Sequence, residues 1–396
     1  MAIAACGAGS DATEWPEPEF DAVLEERWAV GGFDNRGGVT LETGRPWTAA
    51  IGPGGVTVVV DRLAAGIFLL GPDGEMIDRV GRRGSGPGEF QQPDQVGFLD
   101  DSLFWVSDAM LHRISRFDLE GRLVDTRRQT WEQVPGSPWS ARGRWALAGG
   151  TMLGQSSVSM SAYGRDSLPI PLAFWDVDGE LHVADWIDRG VPMRRTVMAS
   201  TGVPVPVPEP VEGDPIIGVA SDSEWAYVLH RVPATSERGE IRIVRYGPSG
   251  DRMDELEIPY RSVPVVDSIA DWMRAYADNF VDYHRRESPN IGRLDVDAVR
   301  EAIWMPDRLP PVRRALADAE GFWLQRERRS PREISRLWAR YDLEGRLMAR
   351  LRLPERVRSL VASAPNAVLA SQPDSMGIAV VRMFDVTMVP RGEPRG

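Results

Sequence analysis

The chain contains no lysine, so all 46 of its basic residues are arginine. Arginine makes planar, bidentate contacts with carboxylate and phosphate, and a coding bias toward arginine is the plain source of the imbalance. A single cysteine, Cys6, excludes an internal disulfide and a cysteine metal cluster. No run of about 18 apolar residues occurs, so no transmembrane helix is predicted. Neither a GxSxG elbow nor an HExxH pair is found. Positive charge is also in deficit, 46 basic against 58 acidic residues, for a net charge of −12. General attraction to nucleic acid or to an anionic membrane is therefore not expected. No cofactor is expected, and any membrane association should come only through a lipid anchor.

What is abundant is punctuation. The chain has 39 glycines and 31 prolines among 396 residues, with 42% hydrophobic content. That mixture suits many short strands and turns better than long helices. Two distant stretches are nearly the same heptapeptide, FDLEGRL at Phe117–Leu123 and YDLEGRL at Tyr341–Leu347. Weaker copies end at Met76, Leu181 and Arg252. Each is a β-prone run, a polar turn with glycine, and a second β-prone run, which is a hairpin signature. The turn glycines Gly74, Gly121, Gly179, Gly250 and Gly345 are spaced 47, 58, 71 and 95 residues apart. The shortest spacing is near the ~40–50 residues of one propeller blade.

The turns extend into four-strand units. The first is Trp47–Ile51, Val56–Asp61, Gly66–Leu70 and Met76–Val80. The second is Gln95–Leu99, Leu103–Asp108, Arg113–Asp118 and Arg122–Arg127. Asp61 precedes Gly74 by 13 residues and Asp108 precedes Gly121 by the same 13. A β-sandwich pair with a helical linker does not require that recurring interval. Third, fourth and fifth units follow at 144–186, 216–258 and 312–353. A sixth, Arg358–Asp385, is one strand short. Leu24–Val30 is strand-like and precedes the first unit, so it can supply the missing outer strand. The expected fold is all-β: a six-bladed β-propeller of four-stranded antiparallel blades, with the N-terminal strand completing the last blade. Expected boundaries are 1–18 for an N-terminal tether, 19–390 for one propeller, and 391–396 for a disordered tail.

Two insertions interrupt the repeat. Val203–Pro215 alternates proline and should be extended, with polyproline-like stiffness. The stretch at about 265–305, between blades 4 and 5, predicts two helices. Ile269, Trp272, Met273, Tyr276, Phe280 and Tyr283 lie at helical spacing in the first, and LDVDAVREAIW forms the second. Both insertions join the last strand of one blade to the first of the next. All such connections share one face with the loops between second and third strands, and loops on a rigid scaffold are where binding usually resides.

The segment Gly84–Gly121 resembles one full NHL-type propeller repeat. The resemblance rests on Gly84, Gly86, Pro87, Gly88, Glu89, Phe90 and Pro93 in the entry loop. It continues through Val106, Asp108, His112-Arg113-Ile114, Phe117-Asp118 and Gly121. The chain is thus similar to bacterial six-bladed propellers of the NHL and TolB-like kind. That resemblance implies fold more than function, because propellers host enzymes, binding modules and scaffolds alike. At the N-terminus, Ile3-Ala4-Ala5-Cys6-Gly7 resembles the lipobox of a bacterial lipoprotein, with Cys6 as the lipidated residue. Only five residues precede Cys6, fewer than a signal peptide needs. The resemblance implies the cell envelope, periplasmic or at the outer membrane; if the match is chance, the cytoplasm follows.

Chemistry-bearing motifs are sparse. The glycines of GRRGSGPGEF lack the GK[ST] ending and following helix of a phosphate loop. Asp61, Asp108 and Asp185 are not expected to converge on a cation. Asp61 and Asp108 should instead bind loop amides. His112 and His230 fall on loops of the decorated face, within possible reach of each other; His182 and His284 read as surface residues. The arginine pairs are more suggestive. Arg82-Arg83, Arg285-Arg286 and Arg328-Arg329 fall in or beside the long connections. With Trp272 and Tyr276 they form a candidate surface for an anionic or extended partner. Glu89, Asp94 and Glu327 are acidic residues placed to neutralise them. Trp105, Trp175, Trp225, Trp323 and Trp338 are expected between blades. The sequence therefore points to a monomeric, non-catalytic envelope propeller with no metal site, binding a protein or other extracytoplasmic ligand. The alternative is a propeller enzyme, a metal-dependent lactonase, hydrolase or lyase, with its site at the channel mouth. A third reading makes the helical insertion a docking element.

Overall fold

The structure, a computed structural model, describes residues 16–41, 48–158, 168–191, 195–207, 209–328, 333 and 335–391. After the N-terminal strand β1 (Phe20–Gly31), blade 1 is formed by β2 (Thr48–Ile51), β3 (Thr57–Asp61), β4 (Gly66–Leu70) and β5 (Met76–Val80). Blade 2 is β6 (Pro93–Phe98), β7 (Leu103–Asp108), β8 (Arg113–Asp118) and β9 (Leu123–Arg128). Blade 3 adds a short strand β10 (Glu132–Gln133) to β11 (Trp139–Ala146), β12 (Met152–Val158), β13 (Ile170–Trp175) and β14 (Leu181–Ile187). A separate hairpin of β15 (Thr196–Met198) and β16 (Pro204–Pro206) comes next. Blade 4 is β17 (Ile216–Val219), β18 (Ala226–His230), β19 (Arg238–Tyr246) and β20 (Arg252–Arg261). The helices α1 (Asp267–Glu287) and α2 (Val296–Ala302) then precede blade 5, which is β21 (Val312–Asp318), β22 (Gly321–Arg326), β23 (Leu337–Asp342) and β24 (Leu347–Arg352). Blade 6 is β25 (Ser359–Ala364), β26 (Ala367–Pro373) and β27 (Ala379–Pro390), completed by β1.

Burial falls from the middle of each blade to its outer edge. In blade 1 every residue of β3 and β4 is buried, whereas outer β5 is exposed except at Val80. Strands covered on both faces read as continuous apolar runs, which explains TVVVD and GIFLL. Among the described residues, six hydrophobic clusters each join one blade to the next around the ring. Trp105 and Trp175 fill the cluster between blades 2 and 3, Trp225 that between 4 and 5, and Trp323 and Trp338 that between 5 and 6. Truncating one such buried ring to alanine costs about 3–5 kcal/mol.

The ring closes as the sequence implied. β1 runs antiparallel to β27, from Phe20 opposite Pro390 to Gly31 opposite Val380. A second link was not foreseen: Phe20 and Asp21 also pair in parallel with Ala349 and Arg350 of β24, tying the edge of blade 5 to blade 6. At the far end of the chain, Arg391 donates its backbone N–H to Glu19 and faces Glu17 and Asp21. It is therefore tied to β1; residues 392–396 lie outside the described residues.

The two heptapeptides fold into the same turn. Asp118 Oδ1 accepts the N–H groups of Glu120 and Arg122, and Arg122 Nε donates back to Asp118 Oδ2 at 2.7 Å. Asp342 does the same for Glu344 and Arg346, with Arg346 Nε at 2.6 Å. Gly121 and Gly345 supply the left-handed residue, at φ 81° and 78°. Likeness of sequence here records a shared β-turn.

The two insertions form one cap. Pro204–Pro206 does not run as free polyproline; it pairs with Thr196–Met198, as proline can at the edge of a two-stranded ladder. Val197 and Val205 of that hairpin pack on Ala277, Val281 and Val299 of the helices. The buried stripe of α1 is Ile269, Ala270, Met273, Ala277, Val281 and His284. Tyr283, expected on that stripe, is exposed; counting aromatics overlooked the alanines that let the helices approach. Asp295 caps α2 by accepting from Asp297 and Ala298 N–H.

Candidate binding face

Within a four-strand blade, strands alternate in direction, so the turns after second strands share a face with the connections between blades. The cap, Arg82, Arg83 and Arg328 gather there. The opposite face carries the tight turns after first and third strands. First strands of neighbouring blades touch about the axis, β2 with β6, β6 with β11, β17 with β21, β21 with β25, and β25 with β2. Their ends therefore border the channel mouth.

At blades 1 and 2 the repeat builds a site from paired turns. Asp61, fully buried, accepts Leu63 and Ala64 N–H, both at 3.1 Å. Asp108 accepts Met110 and Leu111 N–H, both at 2.9 Å, and also Gln91 and Gln92 N–H from the connection between blades. Each carboxylate thereby satisfies a bend whose amides would otherwise be orphaned. The consequence lies two residues on: Leu63 and Met110 project outward, 57% and 60% exposed. A groove of about 440 Å³ runs between them, bordered by Arg62, Arg83, Gln91 and Gln92. That volume falls within the range of small-molecule sites.

Behind the groove stand residues of the first strands. Asp94 on β6 faces Arg144 on β11, Oδ2 to Nη2 at 3.3 Å, while Arg144 Nη1 donates to Gln155 Oε1 at 2.9 Å. Arg142 donates to the carbonyl of Ala109 at 2.9 Å and lies 5.1 Å over the ring of Trp131. Burial pushes the Asp94 carboxyl up, against the pull of Arg144, Arg142 and Arg62. Burial likewise lowers Arg142 and Arg144, and each is opposed by Asp94.

The ten residues singled out from sequence divide into several groups. Arg82 pairs with Glu89 on the surface at 2.8 Å, and Arg83 donates to the carbonyl of Leu63 beside the groove. Trp272 and Arg328 are brought together, the guanidinium 5.2 Å from the ring, with Tyr276 near enough to bear on the charge of Arg328. Arg328 also donates to the carbonyl of Pro210 at 3.2 Å and lies 4.0 Å from Glu327, whose carboxyl burial pushes up. This trio fastens the cap to blade 5. Arg285 and Arg286 stay on their own helix, pairing with Asp282 and with the carbonyl of Asp282. Arg329 and Cys6 lie outside the described residues.

His230 does not read as a surface residue. It is buried and bonds Arg242 at 3.1 Å, not His112, and burial followed by Arg242 holds it down to about 4. His112 is exposed in the left-handed region at φ 49°, its carbonyl accepting from Gln129 N–H. His284 is also buried, inside the cap, and His182 bonds the carbonyl of Ser249. Asp185 accepts from the Tyr246 hydroxyl at 2.7 Å, away from the Asp61 and Asp108 turns. Among the described residues, no three His, Cys, Asp or Glu side chains gather closely enough to share a metal ion. Sequence reasoning missed Arg142 and Arg144, and named Asp94 only as an acidic residue balancing the arginine rim. The available signal was the charge carried by the first strands.

These features define a six-bladed β-propeller with a capped face. The family described as "6-bladed beta-propeller" matches residues 54–138, which hold most of blade 1 and all of blade 2. Comparison with curated proteins finds no match. Among solved structures the chain is similar to a putative exported protein from Bacteroides fragilis, at 11% identity, covering 93% of this chain and 95% of that one, with TM-score 0.46. It is similar at 10% identity to virginiamycin B lyase from Staphylococcus aureus, covering 93% and 100%, with TM-score 0.39. It is similar at 11% identity to PQQ-bound aldose sugar dehydrogenase from Streptomyces coelicolor, covering 94% and 100%, with TM-score 0.41.

Proposed function

We propose that this propeller is a non-catalytic binding protein that engages a ligand or partner through its capped face. One observation carries the reading. The large additions to the repeat, the β15–β16 and α1–α2 cap and the groove between blades 1 and 2, gather on a single face. The opposite face is drawn tight by short turns such as those of Asp118 and Asp342. Scaffold propellers vary where they bind and conserve geometry where they do not. Hydrogen exchange, read after adding a panel of carboxylates, acidic peptides and lactones, tests it. Protection should appear at 62–64, 82–92, 109–112 or in the cap, without turnover of any added compound. Protection confined to turns 71–74, 118–122 and 342–346, or conversion of a lactone, overturns it.

We also infer attachment to the cell envelope through Cys6, on the lipobox-like Ile3–Gly7 and the NHL-type entry loop of blade 2. Since β1 enters at the end of β27, its preceding segment leaves from the face opposite the cap. An anchor there would turn the capped face away from the membrane. Expressed from its native gene, the protein should incorporate an alkyne-tagged acyl label and sediment with membranes; Cys6→Ser should abolish both. Equal, unlabelled recovery of both forms in the supernatant rejects the anchor.

A further inference from the structure

We propose that the groove between the second-strand turns of blades 1 and 2 binds a small amphipathic carboxylate, its apolar body between Leu63 and Met110 and its anionic head toward Arg62 and Arg83. This rests on the capped-face reading and assigns one ligand class to one part of that face.

Three observations support it. First, the repeat itself generates the apolar walls. Leu63 and Met110 occupy the same position two residues after the buried aspartate of each blade, and both are exposed on one groove. Second, the local charge opposes that of the chain. Arg62 and Arg83 border the groove, and Arg144 lies within electrostatic reach of Arg62, in a protein of net charge −12. The acidic groups close enough to act on Arg142 and Arg144 are Asp94 and Asp108. Asp108 is already held by loop amides, and Asp94 faces only Arg144 at pairing distance. None of the residues lining the groove is acidic, and partly buried guanidinium groups that repel one another are relieved by an incoming anion. Third, the polar remainder of the wall, Gln91 and Gln92, presents side-chain amides rather than carboxylates. A wall of that composition admits a carboxylate without placing it against a like charge.

The site also accounts for Asp94. Its carboxylate neutralises part of the cluster and thereby sets how strongly an anion is held. Removing its charge should tighten binding, while removing an arginine that borders the groove should weaken it. Opposite signs from neighbouring substitutions are not produced by general loosening of the fold.

Octanoate, octylammonium, octanol and acetate, titrated into the full chain by calorimetry, separate head from tail. Octanoate should bind at least about tenfold more tightly than each of the other three. Its affinity should fall as salt rises. Arg62→Gln with Arg83→Gln should weaken octanoate about tenfold, Leu63→Ser should weaken it severalfold, and Asp94→Asn should tighten it severalfold, each titrated below the variant's own melting transition. Equal binding of octanoate and octylammonium overturns the proposal, as does octanoate binding untouched by the arginine and leucine variants, or no octanoate binding at all. If octanoate fails while hydrogen exchange still maps a ligand to the cap, the capped-face reading stands and only the groove is lost.

Discussion

Arg340→Ala is expected to destabilise the protein by about 3–5 kcal/mol, because it leaves the Asp318 carboxylate buried and unpaired. The two side chains meet across blade 5, from the end of β21 to β23. Arg340 Nη1 donates to Asp318 Oδ2 at 2.7 Å and Nη2 to Oδ1 at 2.6 Å, with both side chains almost wholly removed from solvent. The guanidinium also lies 5.7 Å from the ring of Trp323. A bidentate pair of this kind owes little to water and is weakly screened by salt. The cost of breaking it comes from stranding the partner. The double variant Asp318→Leu, Arg340→Met should therefore recover most of the loss, since replacing a buried pair by apolar groups is often close to neutral. Urea midpoints of the wild type, the single variant and the double variant decide the matter. A single variant within about 1 kcal/mol of wild type shows that water already reaches the pair.

Deleting residues 16–31 is expected to make the protein self-associate and aggregate. β1 covers β27 along the ladder from Phe20 to Gly31 and contributes Trp28 and Val30 to the cluster between blades 6 and 1. Without it β27 becomes a long exposed edge, a template for pairing with other chains. Trp28 also donates its indole N–H to the carbonyl of Pro72 in blade 1, so the strand holds two blades. Trp28→Ala alone should cost about 3–5 kcal/mol. A synthetic peptide of residues 16–31 added to the deletion variant should restore the wild-type hydrodynamic size and melting temperature in equimolar fashion. A deletion variant that keeps the wild-type hydrodynamic size and melts within a few degrees of wild type contradicts the closure described here.

Much of the ring could be read from sequence because its signals are local and repeated. The interval from Asp61 to Gly74 recurs from Asp108 to Gly121, and the strands between them are apolar enough to read directly. Gly66–Leu70, Met76–Val80, Leu103–Asp108 and Arg113–Asp118 match their expected bounds. The site was harder because its residues come from separate blades. Asp94 and Arg144 lie 50 residues apart and meet only when first strands converge on the axis. Trp272 and Arg328 were both chosen as exposed anchors, yet they find each other and hold the cap down. Aromatic and arginine residues on loops carry the same composition whether they bind a partner or a neighbouring loop. His284 illustrates the converse: the alanines around it, not the histidine, determine that its face is buried.

The strand that closes the ring has a consequence in time. β1 is made before blades 1 to 5, and its partner β27 only after them. Pairing them requires closing a loop that spans nearly the whole chain, and contacts of such separation form slowly. Until then β1 has no partner in its own blade, and blade 5 lacks the parallel link through Ala349 and Arg350. Nascent or truncated chains therefore present an unclosed sheet, open to proteolysis and to pairing with another copy. The ring can reach its closed state only after β27 has been made.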